Sequence, residues 1–202
     1  NKRALQEKVG LMDSPDSPLF FWPSRLDPHQ KGPQLLTEIL YEVISDYWDD
    51  KLQVVFVADG QHQQSFHDIV SSHDLYNRVA VCDFDEELSR LGYAASDFSL
   101  VPSAFEPCGL VQMIGCLYGS LPVAHDTGGL HDTVTHLDVD AGTGNGFLFE
   151  VFDPPGLVWA IDQAMAFFRL DADVKRKNVA RIMREAQQTF THGVTAQQYV
   201  EL

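Results

Sequence analysis

Cationic side chains are scarce in this chain. Lysine and arginine number 14 against 29 aspartates and glutamates, a net charge of −15 over 202 residues. Non-specific nucleic-acid binding needs basic surface, so the charge argues against that partner. Any phosphate bound here must be held by a local basic pair against an adverse overall field. Cysteine is sparser still. Cys82, Cys108 and Cys116 are too few, and odd in number, for a disulfide framework, and they suit a reducing cytosol. No apolar run approaches the roughly 18 residues of a transmembrane helix, and no secretory signal opens the chain, so no membrane partner is expected. The eight histidines lack metal-ligand spacing: His62 and His67 are five apart, as are His131 and His136. Neither a metal nor a cofactor is expected. There is no internal repeat and no low-complexity segment. An initiator Met is missing too; the chain enters directly on a helical Asn-Lys-Arg-Ala-Leu-Gln, which reads as an excised fragment.

What is present suits a single α/β domain. Hydrophobic residues make up 45%, enough for a sizeable core, and the length predicts one domain with appended helices. Short apolar runs predict strands over Leu19–Trp22, Leu52–Ala58, Arg78–Cys82, Phe98–Val101, Leu121–Ala124 and Phe147–Phe149. Helices are predicted over Leu5–Gly10, Pro33–Trp48, Gln61–Ser72, Glu86–Tyr93, Gly109–Tyr118, Leu157–Phe168, Ala172–Phe190 and Thr195–Leu202. Asp13–Pro18 reads as a proline-rich loop and Gly142–Gly146 as a flexible turn. Near-continuous apolar strands alternating with helices point to a parallel sheet covered on both faces. In such sheets ligands sit beyond the C-terminal strand ends, at the point where the strand order switches.

Phe98 to Val134 organises the chain. A strand empties into Pro-Ser-Ala-Phe-Glu-Pro, which two prolines keep out of regular structure. A helix follows, with Leu110, Met113, Ile114 and Leu117 at helical spacing. The loop delivers Glu106 at the helix mouth, where backbone amides lack intrahelical partners and the dipole favours an anion. The next strand ends at Thr127 in a second glycine turn, Gly128-Gly129. Two consecutive strand ends of this kind make a phosphate or sugar site.

Pro-Ser-Ala-Phe-Glu-Pro-Cys-Gly-Leu-Val-Gln, Tyr-Gly-Ser-Leu-Pro-Val and Thr-Gly-Gly-Leu-His-Asp-Thr-Val closely resemble the signature of bacterial glycogen synthases and plant starch synthases. These are retaining glucosyltransferases of two Rossmann-like domains, the GT-B arrangement. Ordered matches of this length are far more specific than a lone glycine motif. The resemblance extends from the opening Asn-Lys-Arg-Ala-Leu-Gln through Gly146-Phe147-Leu148-Phe149 to the closing helices. It implies a Rossmann-like parallel sheet, the C-terminal donor-binding half of such an enzyme. The family's N-terminal half carries a Lys-x-Gly-Gly loop and the acceptor-side residues, and that loop is absent here. The full enzyme would transfer glucose from ADP-glucose to the non-reducing end of an α-1,4-glucan with retention, in the cytoplasm or, in a plant, the plastid. The isolated fragment is expected to be inactive. The alternatives are a GT-B transferase with a different acceptor, and a stand-alone nucleotide-binding module without chemistry.

The resemblance also assigns residues. Arg25 and Lys31 look like the donor-phosphate pair; the bland alternative is two surface cations in a loop. In the family the pair is five apart and here it is six, so the loop must bulge and Lys31 is open to displacement. Glu106 would accept from a donor-glucose hydroxyl, or would merely stabilise a helix start. The amides of Cys108 and Gly109 would bind neighbouring hydroxyls, and those of Leu110 and Val111 the distal phosphate. Thr127 and Gly128 line the second mouth. Many retaining GT-B enzymes place a second glutamate eight positions after the first; here Ile114 stands there, as in glycogen-synthase-like members. Cys108 invites a nucleophile reading, yet no histidine partner is evident, and a packing or sugar-shelf role fits better. Phe84 occupies the place of an aromatic that stacks on adenine, or is an ordinary core-facing loop residue. Tyr93 reads as core. Asp83, Asp85, Glu86 and Glu87 read as an acidic helix start rather than a cation site.

Overall fold

The structure, a computed structural model, describes residues 1–200. In chain order its elements are α1 Lys2–Val9, β1 Leu19–Trp22, α2 Pro33–Asp46, β2 Gln53–Val57, α3 Gln63–Ser72, β3 Val79–Cys82, α4 Glu86–Ala95, β4 Phe98–Val101, α5 Val111–Tyr118, β5 Leu121–His125, α6 Gly128–Thr133, β6 Phe147–Phe149, α7 Pro154–Phe168, α8 Ala172–Thr189 and α9 His192–Val200. The six strands form one parallel sheet in the order β3-β2-β1-β4-β5-β6. The chain runs outward from β1 in one direction, then returns to place β4 on its other side. The expected Rossmann-like sheet is therefore present, and its switch point lies between β1 and β4.

Alternation along the strands builds two cores. Phe20 and Trp22 of β1 face one side with Phe56, Leu36 and Leu157; Leu19 and Phe21 face the other with Val55, Val57 and Leu5. Burying a side chain of this size stabilises the fold by about 1.5–3 kcal/mol, so the apolar strands are held on both faces. Tyr93 joins the second core, its ring edge-on to Phe21 at 5.2 Å, as its helical position predicts. Asp97 fixes the lower end of β1: it accepts from the Leu19 amide at 2.9 Å and from Lys2 Nζ at 2.6 Å. Burial pushes its carboxyl upward in pKa, and Lys2 works against that shift. The acidic run after β3 is a helix start, with the Asp85 carboxylate accepting from the Leu88 amide at 2.6 Å and Glu86 paired with Arg90.

Several expectations need correction. Helix α5 begins at Val111 rather than Gly109, because Gly109 has φ +77, a left-handed value that cannot open an α-helix. Its fully buried residues are Gln112, Gly115 and Cys116. Leu110, assigned by spacing to the apolar face, is 66% exposed. Gly128-Gly129 is the first turn of α6 rather than an open turn. The segment over Gly142–Gly146 is not loose: Asp138 and Thr143 exchange backbone hydrogen bonds at 2.9 and 3.1 Å, and the Leu137 amide donates to the Gly146 carbonyl at 2.8 Å. Helix α1 begins at Lys2 and α9 at His192, each earlier than expected; Glu201 and Leu202 of the expected last helix lie outside the described residues.

Candidate functional site

Four loops leave the carboxyl ends of β1, β3, β4 and β5 and carry the residues singled out in the sequence. The loop after β1 contains Arg25 and Lys31. Asp27 turns it: its carboxylate accepts from the His29 amide at 2.9 Å, and its carbonyl accepts from the Lys31 amide at 2.8 Å. Asp27 to Lys31 thus forms a single helical turn. The Gln30 carbonyl then accepts from the Ala104 amide at 2.8 Å, tying this loop to the one after β4. Lys31 is directed at that second loop, with Nζ 2.5 Å from Glu106 Oε2. Its side chain is only 14% exposed.

Glu106 is 8% exposed overall. Its Oε2 also accepts from the Ser103 hydroxyl at 3.1 Å. It precedes the first residue of α5 by five positions, so it is not a helix-start charge, and the expectation that it sits in the helix mouth is corrected. The left-handed turn at Gly109 inserts the intervening residues. The backbone amides of Cys108, Gly109, Leu110 and Val111 donate to no described residue and are free for an anion or hydroxyl. The Cys108 thiol is exposed and contacts the Gly109 carbonyl at 3.7 Å.

The two motifs of the sequence meet through their backbones. The Gly129 amide donates to the Glu106 carbonyl at 2.7 Å. A Cβ on Gly128 would stand 2.3 Å from that carbonyl oxygen, and one on Gly129 would stand 2.0 Å from the Cys108 carbonyl oxygen. Only glycine permits this approach. Thr127 is the N-cap of α6, with its hydroxyl making no capping bond. Next to it, His131 Nδ1 lies 2.7 Å from Asp126 Oδ1, and this hydrogen bond with the charge of Asp126 raises the imidazole pKa.

Arg25 and Phe84 lie elsewhere. They line a cleft of about 670 Å³ together with Asp27, Asp59 and Gly60, at the ends of β1, β2 and β3. Phe84 is 58% exposed and is therefore not a core residue; its amide donates to Asp59 Oδ1 at 2.9 Å, which fixes the loop. The Arg25 side chain is 70% exposed, with Asp27 at 4.0 Å and Gln30 at 3.5 Å as weak neighbours. Lys31 does not line this cleft. Of the expected basic pair, Arg25 lines this cleft and Lys31 pairs with Glu106 of the post-β4 loop.

Three participants escaped the sequence. Ser103 and His125 stand behind Glu106, with His125 Nδ1 2.8 Å from the Ser103 carbonyl. Gln112 is 1% exposed on the inner side of α5. A glutamine on an otherwise apolar helix was the available signal; for Ser103 and His125 the contacts exist only in three dimensions.

A family profile described as "Glycosyl transferases group 1" matches residues 17–166. The chain is 34% identical over 200 residues to a glycogen synthase of Bacillus subtilis, covering 98% of this chain and 40% of that protein. It is 36% identical over 207 residues to the glycogen synthase of Bacillus licheniformis, with 100% and 40% covered. Among solved structures it is similar to the catalytic domain of starch synthase IV from Arabidopsis thaliana bound to ADP and acarbose, with 34% identity, TM-score 0.84 and 99% of this chain laid on 41% of that one. Anabaena HepE in complex with UDP shares the fold, at TM-score 0.74 and 24% identity, with 98% of this chain laid on 50% of that one. The chain spans about two fifths of the length of the curated relatives it matches. No helix among the described residues is long and apolar enough to cross a membrane.

Proposed function

The chain belongs to the group 1 glycosyl transferases, and from that membership we propose that it is the donor-binding half of a glucosyltransferase of the glycogen and starch synthase type. Its donor is ADP-glucose, its acceptor the non-reducing end of an α-1,4-glucan, and the anomeric configuration is retained. The observation that carries this reading is the Lys31–Glu106 ion pair. It joins the loops after β1 and β4 across the switch point, where nucleotides bind in sheets of this order.

The residues divide the donor among them. Phe84 stacks on the base and Arg25 forks onto the diphosphate from the cleft they share. The free amides of Leu110 and Val111 hold the distal phosphate, and those of Cys108 and Gly109 meet glucose hydroxyls beside Thr127 and Gly128. Lys31 bridges the two regions. An ammonium has three N–H donors, and Glu106 takes one, which leaves others for phosphate oxygens. The barrier to transfer lies in parting a glycosyl cation from a diphosphate. Arg25, Lys31 and the amides stabilise the charge growing on the leaving group, while Glu106 holds the sugar as positive charge develops on its ring. Attack on the same face, with a diphosphate oxygen taking the acceptor's proton, accounts for retention without a protein nucleophile. The similar starch synthase, 34% identical, was solved with ADP, which favours adenine over uracil.

Calorimetric titration of the chain with ADP tests the proposal. Saturable binding at one site is expected, with no glucose transfer from ADP-glucose to glycogen by the chain alone. An absence of ADP binding contradicts the donor reading, and clear turnover contradicts the half-enzyme reading.

A further inference from the structure

Gln112 lies in the first turn of α5, buried and turned back toward the loop that precedes it. Its Nε2 is 3.2 Å from the Cys108 carbonyl, 3.0 Å from the Gly109 carbonyl and 2.9 Å from Thr133 Oγ1. The hydrogens can be assigned. The Thr133 hydroxyl spends its proton on the Gly129 carbonyl at 2.5 Å, so it must accept from Gln112. The second amide hydrogen is then shared by the two carbonyls. One side chain therefore grips the post-β4 loop and, through Thr133, the first turn of α6.

In a trans peptide the N–H points opposite to the C=O. A Cys108 carbonyl turned inward to Gln112 sends the Gly109 amide outward, and a Gly109 carbonyl turned inward sends the Leu110 amide outward. The backbone agrees. Gly109 is left-handed at φ +77 and Leu110 right-handed at φ −111, ψ −26. That alternation of hand makes successive amides converge into an anion-binding concavity. A Cβ on Gly109 would stand 2.5 Å from Gln112 Oε1, so the loop and the glutamine are fitted to each other. Gln112 Oε1 is itself buried and unpartnered among the described residues. An apolar side chain of the same shape would avoid that cost but leave both carbonyls without their donor, so it is the donors of Gln112 that give it its place here.

We infer that Gln112 is a positioning residue: it holds the Cys108 and Gly109 carbonyls inward so that the amides of Gly109 and Leu110 face the donor, the first at the glucose and the second at the distal phosphate. This rests on the donor-binding reading and adds to it the side chain that shapes the phosphate cradle.

The test compares ADP, which needs the cradle, with adenosine, which needs only the Arg25–Phe84 cleft. Gln112→Met and Gln112→Glu keep the length and remove the donors. Each should weaken ADP roughly tenfold, the equivalent of one lost hydrogen bond, and leave adenosine affinity at the parent value. Adenosine is followed by saturation-transfer NMR. Unchanged ADP affinity, or a parallel loss for both ligands, overturns the inference. Should neither variant fold, Thr133→Val and Thr133→Ser replace them. Valine, which cannot accept from Gln112, should weaken ADP alone, and serine should bind as the parent does; valine binding ADP normally overturns the inference. A parent chain that binds neither ligand contradicts the donor reading itself, a result distinct from a parent that binds both and variants that do not differ.

Discussion

Lys31 Nζ stands 2.5 Å from Glu106 Oε2, and the two residues belong to loops that leave adjacent strands on either side of the switch point. Both side chains are largely shielded, at 14% and 9% exposure. Neither charge is comfortable there without the other, so the pair fixes how the two loops sit.

Removing one partner should therefore be costly. Lys31→Met leaves Glu106 buried with, among the described residues, the Ser103 hydroxyl as its remaining side-chain partner. A stability loss of about 3 kcal/mol is expected in denaturant unfolding at neutral pH, together with weaker ADP binding by the folded protein. If stability and ADP affinity both match the parent, Lys31 is an ordinary loop cation and its pairing with Glu106 has no consequence.

The cleft residues should behave differently. Arg25 is exposed and only loosely engaged, so Arg25→Ala should leave the melting temperature unchanged. It should weaken ADP by about 1.5–3 kcal/mol, the worth of a charge-assisted hydrogen bond, and more so at low salt. Phe84→Ala should cost about 1–3 kcal/mol of stacking, with little dependence on salt. Titrations of both variants at two ionic strengths separate charge from stacking, and equal salt slopes would count against this division of labour.

His131 gives a pH signature. Its hydrogen bond with Asp126 and the charge of that carboxylate raise the folded pKa above the unfolded value. The pair therefore stabilises the fold fully at pH below about 6.5, the ordinary histidine value, and the contribution is lost as pH rises through the folded pKa. An NMR titration of the His131 ring should show a midpoint above that of a free histidine, and Asp126→Asn should bring it back down. A midpoint that ignores the Asp126 substitution would show that the contact is not maintained in solution.

The sequence carried the strand-helix alternation well, because period and apolar content are local properties. Leu19–Trp22 and Phe98–Val101 coincide with β1 and β4 residue for residue. The identity of the motif was also readable, and with it the candidates Arg25, Lys31, Glu106 and Phe84. What could not be read was how these residues pair. Spacing does not encode the turn from Asp27 to Lys31, which rests on a side-chain bond from Asp27 to the His29 amide. Apolar spacing extends back to Leu110 and so points to a helix mouth at Glu106. The left-handed Gly109 and the buried Gln112 beneath it set the true start. Both glycine motifs were visible, but their contact through the Gly129 amide and the Glu106 carbonyl joins residues far apart in the chain.

The division of the donor between its sugar and its diphosphate is tested most directly by titrating ADP and ADP-glucose into the parent and into Glu106→Gln. The substitution keeps the size and one oxygen that still accepts from Lys31 Nζ but removes the negative charge, so affinities are compared on the folded protein. ADP affinity should be unchanged or slightly higher, because a negative charge near the diphosphate is lost. ADP-glucose should lose whatever advantage it has over ADP in the parent, a change of roughly tenfold for one hydrogen bond to a carboxylate. A variant that binds ADP-glucose as well as the parent does, or one that loses both ligands in equal measure, would contradict the assignment of Glu106 to the sugar.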